Sequence, residues 1–263
     1  MISRKGKMME SKETNQKSLF QEYLQNVIRL LQRISDEEES SVNEAAKTIA
    51  DAVEFGHNIF AFGCTHSSLP IQDLVYRAGG FMLINPIFGP GIAALDTRPA
   101  TMTSEIENLP GYAKIIFDAH PINEGDVLIL VSVSGRNSVP VELAQIAKQR
   151  KVKIIGVISR DYSENVTSRH SSGKKMYEFA DVILDNKVAK GDALLHAEGV
   201  PQKFCPASGV TSNALLHAMI AATIQELLRR GITPPIYLAG NVDGGKEYNA
   251  KLLEQYKDHV FYM

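Results

Sequence analysis

Short, continuously apolar runs alternate along this chain with segments of helical period, and few folds accept that pattern. The runs are NIFAFG at 58–63, FMLIN at 81–85, DVLILVSV at 126–133, KIIGVIS at 153–159 and ADVILD at 180–185. A strand that is apolar at nearly every position is buried on both faces, whereas a strand with one wet face alternates. Helical segments at 68–78, 111–119 and 139–150 stand between the runs. Buried strands that alternate with helices predict a parallel sheet with helices on both sides, a three-layer αβα sandwich with five parallel strands.

Helices are also expected outside the alternating region. Leu19, Tyr23, Val27, Leu30, Leu31 and Ile34 recur at helical spacing, and Val42, Ala45, Ala46, Ile49 and Val53 repeat it after the acidic stretch SDEEESS. A long helix is predicted at 208–230, ended by Gly231. Residues 1–16 are polar and read as a flexible tail, 17–231 as one α/β domain with its N-terminal helices, and 232–263 as a C-terminal extension of that domain. The first helix carries more apolar surface in Leu19, Tyr23, Val27, Leu30 and Ile34 than one exposed helix keeps in water. That predicts a homodimer or a dimer of dimers, unless the stripe packs on its own domain.

Composition removes several classes of function. A net charge of −2, a pI of about 6.4 and the lack of a basic recognition helix before Asn58 argue against nucleic acid as a partner. The two cysteines, Cys64 and Cys205, lie far apart, and the seven histidines show no H-x-H or H-x-x-x-H pairing, so no metal site is expected. The basic, polar N-terminus lacks the apolar stretch of a secretory signal, and no run approaches the ~20 apolar residues needed to cross a bilayer. A cytoplasmic protein without membrane partners is expected.

In an open parallel sheet, ligands bind outside the carboxyl ends of the strands. Two such ends carry the same chemistry here. GCTHSS at 63–68 follows the first run, and SVSGRNS at 132–138 follows the third. Both are hydroxyl-rich turns that feed a helix N-terminus, where unpaired N–H groups and the positive end of the helix dipole favour a phosphate. Gly63, Thr65, Ser67, Ser132, Ser134, Gly135, Asn137 and Ser138 are the candidate phosphate-binding residues. The alternative is that the serines Ser67, Ser68, Ser134 and Ser138 only cap helices. Neither turn matches G-x-x-x-x-G-K-[ST] or G-x-G-x-x-G, so a nucleotide is not indicated.

These turns resemble the two motifs of the SIS (sugar isomerase) domain family. G-x-G-x-S appears as Gly63-Cys64-Thr65-His66-Ser67, with Thr65 in place of the second glycine. S-x-S-G-x-[TS] appears as Ser132 to Asn137, with Asn137 at the hydroxyl position. The resemblance runs from about residue 34 to 230. It implies a flavodoxin-like five-stranded parallel sheet, a phosphorylated sugar as ligand, activity of the phosphoheptose isomerase type, and usually a dimer or tetramer. AEGVPQKFCPASGVT at 197–211 is similar to a segment of arabinose-5-phosphate isomerases that reads E-x-x-P-x-x-x-x-P-x-S-x-x-T. There it implies Glu198 as the base that moves a proton between C1 and C2, with Pro201, Pro206, Ser208 and Thr211 at the other matched positions and Ser208 as a further ligand contact.

The chain also departs from its resemblances. Asn241 stands near a place where many isomerases have a histidine, and Arg77 stands where N-acetylmuramic acid 6-phosphate etherases carry a catalytic glutamate. The departure at Arg77 counts against a lyase. A second acid or base is then sought among His66, His196 and His217, and His66, inside the first turn, is preferred as the catalytic partner of Glu198. Cys64 has no evident base and reads as a small buried thiol. Arg136 can reach an anion or point to solvent. The expected activity is aldose–ketose isomerisation without a cofactor, with an amino-sugar-phosphate lyase and a non-catalytic phosphosugar sensor as alternatives.

Overall fold

The computed structural model describes residues 18–94 and 96–263. The expected tail at 1–16 lies outside the described residues. Five parallel strands form the central sheet: β1 (Ile59–Gly63), β2 (Ile84–Pro86), β3 (Val127–Val131), β4 (Lys153–Ile158) and β5 (Val182–Asp185). Their order is β2-β1-β3-β4-β5. The chain therefore leaves β1 toward one edge to make β2, then returns to the other side of β1 to make β3. That reversal is the topological switch point, and the crevice it opens lies at the carboxyl ends of β1 and β3.

Every residue of β1 and β3 is buried, because alternate side chains serve two different cores. Ile59, Ala61, Val127, Ile129 and Val131 face one side, where they meet α2 (Glu39–Glu54) through Ala45 and Ile49 and α8 (Ser208–Arg229) through Leu215, Leu216 and Met219. Phe60, Phe62, Leu128 and Leu130 face the other side, against α5 (Tyr112–Asp118) and α6 (Ser138–Gln149) through Phe117, Leu143 and Ala144. The result is the three-layer sandwich that the unbroken apolar runs predicted.

Differences from the sequence reading have local causes. The run at 81–85 gives a strand only from Ile84, since Phe81 and Met82 pair instead with the C-terminal segment: Met82 N–H donates to Pro235 O at 2.9 Å, and Phe81 bridges Ile236. The helix expected at 68–78 stops early as α3 (Ser68–Leu74), because Val75 is extended and Tyr76 has φ +48°. Not expected from the sequence were α4 (Thr101–Glu107), α9 (Gly245–Gln255), and an antiparallel hairpin of β6 (Ala193–Leu195) and β7 (Phe204–Pro206) in the segment read as a loop. α7 (Arg160–Glu164) follows β4 directly. The C-terminal segment is tied to the main sheet by Asn85, whose buried amide donates to Ile59 O and His259 O and accepts from Phe261 N–H.

The first helix, α1 (Leu19–Glu37), divides its apolar residues between two faces. Val27 packs on Val188 and Ala207 beside the hairpin, and Ile34 joins the α2–α8 core. Phe20, Leu24 and Ile28, spaced four apart, are exposed.

At the carboxyl end of β5 a buried charge cluster fixes the next loop. Lys187 Nζ is enclosed by Glu38, to which it donates a hydrogen bond, with Glu37 and Asp185 each at 3.2 Å. Burial pulls the Lys187 pKa down, but the Glu38 hydrogen bond and the charges of Asp185 and Glu38 outweigh it and leave it raised. Two residues of this loop tie it to its neighbours, one of them through Ser212 in the crevice wall. Asn186 donates to Ser212 Oγ at 3.0 Å, and Val188 O accepts from Ser159 Oγ at 2.5 Å.

Candidate active site

The two turns at the switch point differ in what they leave unpaired. The first begins at Gly63, where a side chain would put Cβ 2.1 Å from Ser67 O, so only glycine fits. Three N–H groups of this turn have acceptors in the protein. Thr65 N–H donates to Ile92 O, Ser67 N–H to Cys64 O and Ser68 N–H to Thr65 O. Ser68 is a structural hub: its hydroxyl donates to Thr65 O at 2.7 Å and accepts from Ala94 N–H at 3.0 Å and Gln72 Nε2 at 3.1 Å. Thr65, His66 and Ser67 line the crevice, and the side chains of His66 and Ser67 have no hydrogen bond among the described residues.

The second turn is built the opposite way. Its carbonyls point outward into the neighbouring segment, where Val133 O accepts from Ser159 N–H, Gly135 O from Met176 N–H and Arg136 O from Arg169 N–H. The N–H groups of Ser134, Gly135, Arg136, Asn137 and Ser138 find no acceptor among the described residues. They stand at the N-terminus of the 12-residue α6. Gly135 makes the turn with φ +59°, and a Cβ there would already be 3.1 Å from Ser163 Oγ. The hydroxyls of Ser132 and Ser134 also find no partner among the described residues, while Ser138 Oγ makes only a long contact, 3.5 Å, to Arg169 O. A row of five N–H donors on a helix dipole, flanked by two hydroxyls, is an anion cradle.

Asn137 does not cap α6 with its side chain. Its Oδ1 accepts from Arg169 at 3.0 Å. Arg136 turns from the cradle toward Thr167, 3.3 Å away.

The crevice has a volume of about 530 Å3, within the range of small-molecule sites. Its walls are Thr65, His66 and Ser67 on one side, Val131 and Val133 on the floor, and Asp192, Pro206, Ser208 and Ser212 opposite. Ser208, expected to touch the ligand, is engaged by the protein. Its N–H and Oγ donate to the Asp192 carboxylate at 2.8 and 2.5 Å, and Ala207 N–H donates at 3.1 Å. An internal carboxylate thus closes the N-terminus of α8, while that of α6 stays open.

The other expected residues lie apart. Glu198 and His196 are exposed in and beside the turn of the hairpin, outside the crevice lining. His217 is exposed on α8 and pairs with Asp73 at 2.9 Å, and Arg77 pairs with the same carboxylate. Asn241 is exposed in the C-terminal segment. Cys64 is buried, and that burial, with the nearby Glu107 charge, pushes its thiol well up, away from the thiolate a nucleophile needs.

Sequence reasoning missed Asp192, which lines the crevice, and gave no role to Glu107, whose titration is coupled to Asn137 and Arg169. Asp192 stands in a loop with φ +62°, and no spacing marks it. Glu107 sits in SEIENLPGY, which reads as a solvated helix end. In the structure burial raises its pKa, with the Asn137 hydrogen bond and the Arg169 charge opposing. A carboxyl whose folded pKa is raised adds stability at low pH and loses it as pH rises from the unfolded value through the folded one. Glu107→Gln is therefore expected to melt above the parent at pH 8 and to lose that advantage at pH 4. A lower melting temperature at pH 8 would contradict the assignment.

A family model for the SIS domain matches residues 22–159, more than half the chain. The chain belongs to the SIS domain family. This SIS domain is 46% identical to a UPF0309 protein of Streptomyces griseus over 241 residues, 92% of this chain and 96% of that one. It is 40% identical to a UPF0309 protein of Oceanobacillus iheyensis over 242 residues, covering 92% and 98%. Among solved structures it resembles the phosphoheptose isomerase of Neisseria gonorrhoeae, with a TM-score of 0.50 and 20% identity over 77% of this chain and 95% of that one. The phosphoheptose isomerase of Francisella tularensis gives the same TM-score at 16% identity, over 80% and 100%. At these identities the likeness establishes the fold of the SIS domain. Among the described residues, no helix is long and apolar enough to cross a membrane and no group of acids, histidines and cysteines could hold a metal ion.

Proposed function

We propose that this protein binds a phosphorylated sugar in the crevice between β1 and β3 and interconverts its aldose and ketose forms without a cofactor. The observation that carries the reading is the second turn, with five unpaired N–H groups on the α6 dipole beside Ser132 and Ser134. Such a cradle suits a phosphate monoester, and Val133, the residue before Ser134, lines a crevice of small-molecule size that Asp192 and Pro206 also line. The neighbouring phosphoheptose isomerases are consistent with this chemistry. Isomerisation moves one hydrogen from C2 to C1 and one from O2 to O1, so it needs a carbon base and a group that serves the oxygens. His66, at the crevice wall, is proposed for the oxygens. Glu198 is one candidate for the carbon, provided the hairpin carries it inward. A lyase of the etherase type is disfavoured, since Arg77 occupies the acid's place and is paired to Asp73.

The reading is tested by incubating the protein in deuterium oxide with a panel of aldose phosphates. Deuterium at C2 is expected for at least one of them. A sugar phosphate that binds and never exchanges would favour a sensor instead.

We further propose self-association through the exposed row Phe20, Leu24 and Ile28 of α1. Light scattering is expected to give a dimer at micromolar concentration for the parent and a monomer for Ile28→Glu. A monomeric parent would contradict it. The free thiols of Cys64 and Cys205 suit a reducing compartment, and the cytoplasm is proposed.

A further inference from the structure

We propose that Ser212 of α8 donates its hydroxyl hydrogen to the carbonyl oxygen of the bound sugar phosphate and holds the charge that gathers there, an assignment that rests on the reading just given. Ser212 lines the crevice, yet only 1% of it is open to water. Its oxygen meets the Asn186 amide nitrogen at 3.0 Å, and no acceptor takes its hydrogen among the described residues.

The direction of that bond follows from the backbone. Val188 N–H donates to Asn186 Oδ1 at 3.3 Å, so the NH2 end of the amide is the one turned to Ser212. An amide NH2 only donates, so Ser212 Oγ accepts and its own O–H remains unspent. The loop that sets this orientation is held firmly. Asn186 is fully buried, and its N–H donates to Ile158 O at 2.8 Å. On either side, Asp185 N–H donates to Glu38 at 3.1 Å and Lys187 N–H to Asp185 Oδ1 at 3.0 Å. The buried ion cluster beside β5 therefore fixes a donor in the crevice wall.

The other hydroxyls and charges of the crevice are placed differently. Asp192 and Ser208 are bonded to each other, and Thr65, His66 and Ser67 reach water. A hydroxyl in contact with water loses little when a ligand offers it no acceptor, whereas a buried one is left unsatisfied. Ser212 therefore favours a ligand with an oxygen at that point, and most of all an oxygen that becomes negative.

Isomerisation creates such an oxygen. When the carbon base takes the proton from C2, the C2–H pair becomes the C1=C2 bond and the C1=O π pair moves to O1. O1 carries the negative charge until His66, having accepted the O2 proton, delivers one to it. The O2 pair then forms C2=O, and the C1=C2 pair takes the proton back from the base at C1. Ser212 keeps its proton throughout. Its hydrogen bond to O1 strengthens as charge builds, so it stabilises the transition state more than the substrate.

The test uses pentose, hexose and heptose aldose phosphates in deuterium oxide, following the C2 proton by NMR in the parent, Ser212→Ala, Ser212→Cys and Asn213→Ala. Calorimetry compares their affinities for the matching alditol phosphates, which lack the carbonyl, and for the phosphorylated hydroxamates, which resemble the enediolate. Ser212→Ala is expected to lose roughly 10²–10³-fold in exchange. Ser212→Cys keeps the shape but offers only a weak donor, and should fall with it. Both should bind the alditol phosphate like the parent and lose the parent's preference for the hydroxamate. Asn213, the next residue of α8, lies outside the crevice lining, and Asn213→Ala should exchange like the parent. Parent-like exchange in Ser212→Ala, an equal loss of affinity for both ligands, or the same deficit in Asn213→Ala overturns the assignment and leaves the isomerase reading intact. A parent that binds sugar phosphates and exchanges with none overturns both.

Discussion

Replacing Lys187 by Met is expected to cost about 3–5 kcal/mol of folding stability, the loss typical when one partner of a buried ion pair is removed. Lys187 Nζ lies among Glu37, Glu38 and Asp185, and Glu38 and Asp185 are themselves buried. Without the cation, two carboxylates face each other out of water, and neither has a second cation in contact among the described residues. The Glu38 carboxylate would keep its bond from Asp185 N–H, and Asp185 its bond from Arg160 N–H, so the loss should fall short of complete unfolding. Its pH dependence is distinctive. The folded Lys187 pKa is raised, so in the parent its contribution is whole below the unfolded value and fades only as pH climbs through the folded one. In the variant the orphaned carboxylates can take protons, so the deficit should shrink as pH falls toward 4. Urea denaturation of both proteins at pH 4 and pH 7 checks this. A difference under 1 kcal/mol at pH 7 would show that the cluster relaxes into water.

The sheet and its two turns were legible in the sequence because each rests on a local, repetitive cause. Leu128 and Ile129 must be buried on opposite faces, so both must be apolar, and the same logic marks Phe60 and Ala61. Gly63 and Gly135 announce their turns because a side chain would strike Ser67 O in one case and crowd Ser163 in the other. What could not be read depends on partners remote in sequence. Nothing in GCTHSS and SVSGRNS tells that the N–H groups of Thr65, Ser67 and Ser68 find carbonyls while those of Ser134 to Ser138 stay open. That difference arises because β4 and the segments after it draw the second turn's carbonyls outward through Ser159, Arg169 and Met176. Likewise Ser208 carries the right chemistry for a phosphate, but Asp192, sixteen residues earlier, satisfies it. Glu107 lies thirty residues before Asn137, and no periodicity relates them.

Ser134→Ala is expected to weaken sugar-phosphate binding by about 1–3 kcal/mol, roughly 5- to 150-fold in Kd, the worth of a charge-assisted hydrogen bond. The hydroxyl has no bond to the protein among the described residues, so its removal should leave stability nearly unchanged and act on the ligand alone. Ser208→Ala should behave the other way. Its hydroxyl holds Asp192, so stability should fall by about 1 kcal/mol while phosphate affinity changes little. An unchanged Kd for Ser134→Ala, or a larger loss of affinity for Ser208→Ala, would move the phosphate from α6 to α8.

The central claim, that the open turn before α6 is a phosphate cradle, is tested most directly by calorimetric titration of the parent protein with a sugar phosphate and with the same sugar lacking phosphate. Binding of the phosphorylated sugar, competition by inorganic phosphate and no detectable binding of the free sugar are expected. Equal affinity for the two sugars, or failure of every sugar phosphate to bind, would contradict the account.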